Sequence, residues 1–163
     1  MSEANDLATR VAERIAEGAG ESIAGASFLP LFALDSGAVI GLDATATWVI
    51  VPDDGRPPII CVSGAEHALI EAIESKREDF DAQLEAAARE KGLPPEAVSF
   101  AFPAVALVRG VLSGPSAYLI RLALRFLRPT ELRDVRAEIV AIAESKNLPG
   151  STKDLAKRLI VPL

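Results

Sequence analysis

Four short apolar runs separated by turn residues, all between residues 28 and 62, constrain this chain more than any other feature. They are Phe28-Leu29-Pro30-Leu31-Phe32, Ala38-Val39-Ile40-Gly41-Leu42, Thr47-Trp48-Val49-Ile50-Val51 and Pro58-Ile59-Ile60-Cys61-Val62. β-Branched and aromatic side chains dominate them, as suits a pleated, half-buried surface. Between them lie Asp35-Ser36-Gly37, Asp43-Ala44 and Pro52-Asp53-Asp54-Gly55. Connections this short join antiparallel neighbours, because a parallel pair needs a long crossover. The segment therefore predicts an antiparallel meander of three or four strands. Pro30 and Pro58 lack a backbone donor and belong at strand starts or edges.

The flanks read as helices. Leu7, Val11 and Ile15 recur every four residues with Ala4, Ala8, Ala12 and Ala19 beside them, and Gly18 should end that helix. Ser63-Gly64-Ala65-Glu66 fits a capping box. It predicts one long helix from Ala65 to Lys91 that covers a sheet face with Leu69, Ile73, Phe80, Leu84 and Ala88. Residues 96–127 are the most apolar part of the chain. Pro103 excludes a straight central strand there, and Gly110 with Ser113-Gly114-Pro115 divides the segment into two helical pieces. Thr130 should cap a helix carrying Leu132, Val135, Ile139 and Ile142. Ser151-Thr152-Lys153-Asp154, a second capping box, should open a short last helix with Leu155 and Leu159. The expected fold class is α+β: a small antiparallel sheet over residues 28–62 packed by helices, and a helical C-terminal half. We read one domain over residues 1–163, with an α/β part to residue 95 and a helical part from 96.

A chain of 163 residues needs no staple. Area scaling puts its folded surface near ~7,800 Å² against about 25,000 Å² unfolded. The single cysteine, Cys61, cannot form an internal disulfide, which suits a reducing compartment. The longest apolar stretch, Ala97 to Val108, is interrupted by Ser99 and Pro103 and closed by Arg109, too short to span a bilayer. Met1 to Asp6 is polar and acidic, unlike a signal peptide. The expected location is cytoplasmic. Charge is unevenly spread: residues 1–100 hold 18 acidic and 7 basic side chains, and residues 101–163 hold 5 and 10. The two parts thus carry −11 and +5, a polarity that suits docking of a charged partner.

Residues with catalytic potential are few. His67 is the one histidine, with Glu71 four residues on, and nothing in the sequence supplies further ligands at metal-binding spacing. Cys61 ends an apolar strand and reads as an inert buried thiol. Asp35, Asp43, Asp53 and Asp54 occupy turns, where aspartate hydrogen-bonds its own backbone. No phosphate loop, nucleophile elbow or dinucleotide fingerprint occurs. We therefore assign no catalytic residue, no metal and no cofactor.

Surface charges are more informative. Arg121, Arg125 and Arg128 make a basic stripe if residues 118–128 are helical, and would dock an acidic partner. Asp53 and Asp54 in the acidic part are the matching candidates for a basic one. Lys153, Lys157 and Arg158 lie on the last helix, and the final helix pair has the size of a helix-turn-helix. Its second helix would carry nucleic-acid contacts, although simple antiparallel packing is the commoner use of such a pair. The apolar residues between 97 and 127 exceed what two helices need to cover a small sheet, which points to a homodimer through that region. Membrane contact is disfavoured by the arginines and by the acidic N-terminal part.

Phe28-Leu29-Pro30-Leu31-Phe32-Ala33, Asp35-Ser36-Gly37, Leu42-Asp43 and the extended run through Pro52-Asp53-Asp54-Gly55 to Val62 stand in that order, followed by a helix through Leu69 and Ile73. In this order residues 28–73 resemble the C-terminal half of the SUKH superfamily, which includes bacterial immunity proteins. The family's N-terminal helices and their signatures are missing here, and no individual binding residue carries over. The resemblance implies a non-catalytic protein that binds another protein. The functional expectation is thus a protein-binding module of immunity or regulatory type. One alternative is nucleic-acid binding through the basic C-terminal helices, and another is a small enzyme with loop-borne carboxylates.

Overall fold

The structure, a computed structural model, describes residues 3–161. The fold is α+β, with a five-stranded antiparallel sheet and a helical C-terminal half. The described chain forms two compact units. The first holds the chain up to Ala72 together with Glu78–Phe102, and the second holds Ile73–Arg77 and the chain from Pro103 on.

The first unit opens with α1 (Glu3–Arg14), which buries Leu7 and Val11. A wider turn over Ile15–Ala19 follows, and Gly18 ends the helical path at φ +89°, in the left-handed region that favours glycine. Arg14 Nε donates to the Lys91 carbonyl at 2.8 Å.

Five strands then form a meander in sequential order: β1 (Glu21–Ile23), β2 (Ala26–Ala33), β3 (Val39–Asp43), β4 (Trp48–Val51) and β5 (Ile59–Ile60). Four of them match the four runs. β1 is additional: Ser22 pairs with Ser27 across a tight turn in which Ala24 and Gly25 both take positive φ. Its residues are all exposed, so no alternation announced it. Pro30 lies within β2, beyond the stretch that β1 pairs and next to a bulge between Pro30 and Phe32. A bulge tolerates the missing donor.

Gly41 is where β2 and β3 approach most closely. A Cβ there would sit 2.4 Å from the Leu29 carbonyl oxygen. Because the obstacle is backbone, Gly41→Ala should destabilise the protein by about 1–3 kcal/mol, as overpacked cores do. Urea denaturation measures it, and an unchanged midpoint would show that the strands can separate freely.

The helix expected from Ala65 to Lys91 is two elements. A 3₁₀ helix covers Glu66–Glu74, and α2 runs over Arg77–Glu90. The interruption falls in the stretch that belongs to the second unit, and the chain restarts with Glu78 and Asp79 in the first turn, where the helix dipole favours acids. The Glu66 carboxylate accepts from the Gly64 amide at 2.8 Å. The apolar stripe is buried as expected: Leu69, Phe80, Leu84 and Ala88 in the first unit, Ile73 in the second. α3 (Pro95–Ala101) completes the first unit. Its core is organised by aromatic contacts running Phe32–Phe80–Phe102–Trp48, with ring centroids 5.9, 4.7 and 5.3 Å apart. Trp48 Nε1 donates to the Ala101 carbonyl at 3.0 Å, so the buried indole is satisfied.

The second unit contains α4 (Ala104–Leu112), α5 (Ala117–Phe126), a 3₁₀ turn (Leu132–Val135), α6 (Arg136–Glu144) and α7 (Gly150–Ile160). Residues 96–127 thus form three helices rather than two. Pro103 sits at the N-cap of α4, where its missing donor costs nothing, and Gly110 lies inside α4 with open space at its Cβ position. Ser116 caps α5, accepting from the Leu119 amide at 3.3 Å. Thr130 is not a cap, because the 3₁₀ turn intervenes before α6. Nor does Ser151 cap α7, since Pro149 takes that position and its carbonyl accepts from Thr152 and Lys153. α7 packs against α6 and α5. Buried Arg77 is this unit's central polar group. Its guanidinium donates to both Glu131 carboxylate oxygens at 3.0 Å and to the Phe126 carbonyl at 3.4 Å, and lies 4.9 Å from the Phe126 ring centroid.

Candidate functional site

The first unit carries a cleft of about 610 Å³ beside the β5 edge of the sheet. Three segments build it: the β2–β3 turn, the β4–β5 loop and the 3₁₀ helix after β5. Ala38, Ile50, Ile59 and Ile70 supply apolar walls, and Ser36, Asp53, Asp54, Arg56, His67 and Glu71 supply polar groups.

Two of the three carboxylates are committed. Glu71 accepts from the Ser36 amide at 2.8 Å and the Ser36 hydroxyl at 2.6 Å, which fastens the 3₁₀ helix to the β2–β3 turn. Asp54 accepts from Arg56 Nε at 2.7 Å, and that hydrogen bond holds its carboxyl below the usual range while raising the guanidinium. Asp53 makes no hydrogen bond or ion pair among the described residues. Its carboxylate lies close to Gly37, where an added Cβ would approach it to 3.0 Å. His67 and Glu71 do line one cleft, but the Glu71 oxygens serve Ser36 and orient no imidazole. Asp43 Oδ1 accepts from the Thr45 amide and hydroxyl and the Thr47 amide, closing the β3–β4 turn. Among the described residues, no group of three His, Cys, Asp or Glu side chains is placed to hold a metal ion.

β5 presents apolar side chains on both faces. Ile59 faces the cleft, and Ile60 and Val62 are exposed at 43% and 57%. The Cys61 amide donates to the Trp48 carbonyl at 2.8 Å, so Cys61 and Ile59 face β4 in the ladder and the Ile60 amide faces outward. The Ile60 carbonyl accepts from the Val62 amide. At the preceding outward position Pro58 has no donor at all. The run over residues 58–62 reads from sequence as a strand whose opening proline belongs at an edge or strand start, and β5 is indeed an edge of the sheet. Pro58 carries that signal, because a residue without a donor is tolerated where no further strand pairs.

Cys61 is buried, with its Sγ 3.8 Å from the Ile59 carbonyl. Desolvation and then the Glu66 charge push its pKa from 9.0 up to about 11. The thiol therefore stays protonated at neutral pH and is a poor nucleophile. Stability follows from the sign: the raised pKa stabilises the fold fully below pH 9 and is lost as pH rises towards 11. The loss should reach at most about 3 kcal/mol. A thiol reagent at pH 8 should label denatured protein and leave native protein unlabelled, whereas rapid native labelling would show an open thiol.

The basic candidates lie in the second unit. Arg121 is half-buried and donates to the buried Thr152 hydroxyl at 3.4 Å. Arg125 is exposed on α5, and Arg128 falls two residues past its end, so the three form no single helical stripe. On α7, Lys157 pairs with Asp154 at 3.8 Å, Arg158 is exposed and Lys153 is half-buried. Of the apolar residues considered for self-association, Leu107, Val108, Val111, Leu112, Ile120, Leu124, Phe126 and Leu127 are buried, whereas Tyr118 and Phe100 are exposed. The 18-residue apolar window Pro95–Leu112 is split between α3 and α4, both shorter than the roughly 20 residues that span a bilayer.

Division into units sharpens the charge asymmetry. The first unit holds 17 acidic and 5 basic residues, a net −12, and the second holds 6 and 12, a net +6. Comparison with known families, with curated proteins and with solved structures finds no match to this chain.

Proposed function

We propose that the chain is a non-catalytic protein-binding module of immunity or regulatory type, which holds a basic protein partner on its acidic first unit. The observation that carries this reading is the exposed Ile59, Ile60 and Val62 beside a cleft lined by Asp53, Asp54 and Glu71, on a unit of net charge −12. Exposed apolar groups with charged neighbours are the anatomy of a protein interface, where the apolar part gives affinity and the charge gives rate and register. The resemblance of residues 28–73 to SUKH immunity proteins supports the same class.

Capture from the native host, with the chain immobilised, tests the proposal. One stoichiometric basic protein should be retained at near-physiological salt. Raising salt to about 0.5 M should slow its association, because screening shortens the reach of the acidic field. Retention of no protein partner, or of nucleic acid instead, would overturn the reading.

A further inference from the structure

The side chains of β5 say what kind of partner segment fits. Ile59 lines the cleft, its neighbour Ile60 belongs to the alternate face of the strand, and both Ile60 and Val62 just beyond β5 are exposed, so a partner at this edge meets apolar surface beside the cleft as well as in it. An open edge with such side chains normally recruits another strand. Here the outward groups do not support one. Pro58 has no amide, the Ile60 carbonyl is taken by Val62, and the Ile60 amide is the outward donor that remains in β5. Backbone pairing is therefore blunted and recognition passes to side chains. The cleft adds the second element. Its apolar walls fit an aliphatic stem, and uncommitted Asp53 at its rim fits the cation at the end of that stem.

Resting on the protein-binding reading above, we infer that β5 and the adjoining cleft take a basic segment of the partner, with an apolar anchor on Ile60 and Val62 and a lysine or arginine entering beside Asp53. The −12 charge of this unit is the complement that selects a basic occupant over an acidic one. The second unit, at +6, offers no such match.

Amide-resolved NMR titration of the full chain tests this with three synthetic peptides, alternating lysine–leucine, lysine–serine and glutamate–leucine. The lysine–leucine peptide should shift Asp53, Ile59, Ile60 and Val62 and bind at least about tenfold more tightly than the other two. Ile60→Asp and Asp53→Asn, both at exposed positions, should each weaken it about tenfold while the spectrum stays folded. Equal binding of the lysine–serine peptide would reduce the effect to bulk charge and overturn the site, as would shifts confined to the second unit. A host partner that binds Ile60→Asp as well as wild type would sink this site and leave the protein-binding reading standing.

Discussion

Glu131→Ala is expected to destabilise the helical unit by about 3–5 kcal/mol, the range for removing one member of a buried ion pair. Arg77 is 7% exposed and Glu131 17%, and both carboxylate oxygens face the guanidinium at 3.0 Å. Removing the carboxylate leaves a guanidinium that cannot neutralise itself by losing a proton. The same carboxylate accepts from the Arg128 amide at 2.9 Å, so the turn after α5 loses its anchor as well. Replacing both partners, Arg77→Met with Glu131→Leu, should recover most of the loss, because the pair together is worth far less than either orphan. Denaturant titration of the three proteins reads this out. A cost below about 1 kcal/mol for Glu131→Ala would mean that solvent reaches the pair freely.

Leu84→Ala should cost about 2–5 kcal/mol, the span for deleting a fully buried leucine side chain. Leu84 has no exposed surface and lies on α2 between Phe80 and Ala88, which are equally buried. The cavity would open beside Phe80, which is fixed by edge-to-face contacts with Phe32 and Phe102 and cannot easily collapse into it. The same titration applies, and a loss below about half a kcal/mol would place the stripe in solvent.

The two expectations differ in how legible they were. Leu84 could be read from the sequence because helical periodicity exposes a buried stripe even when the helix is broken: Leu69, Ile73, Phe80 and Leu84 kept their burial although Ser75 and Lys76 interrupt the helix. The four strand runs were legible for a related reason, since turn residues bracket each one. Arg77 and Glu131 were not, because they are 54 residues apart and nothing local distinguishes a buried arginine from a solvated one. β1 was missed because Glu21, Ser22 and Ile23 are all exposed and lack the alternation that marks a half-buried strand. The cleft was half legible. Asp53, Asp54, His67 and Glu71 each drew notice, but their convergence depends on the β2–β3 turn being fastened to Glu71, a contact across 35 residues. The exposure of Ile60 and Val62 was only half legible: Pro58 marked a strand start or edge, but an apolar run looks the same whether a neighbouring strand covers it or not.

The most direct test of the central claim is a light-scattering measurement of complex formation between the captured host partner and the purified chain, wild type or Ile60→Asp. The account predicts a stable complex with the wild type. It predicts free partner and free chain with Ile60→Asp, whose circular dichroism should match wild type because Ile60 lies at an exposed position on the sheet edge. A variant that forms the complex in full would contradict the account.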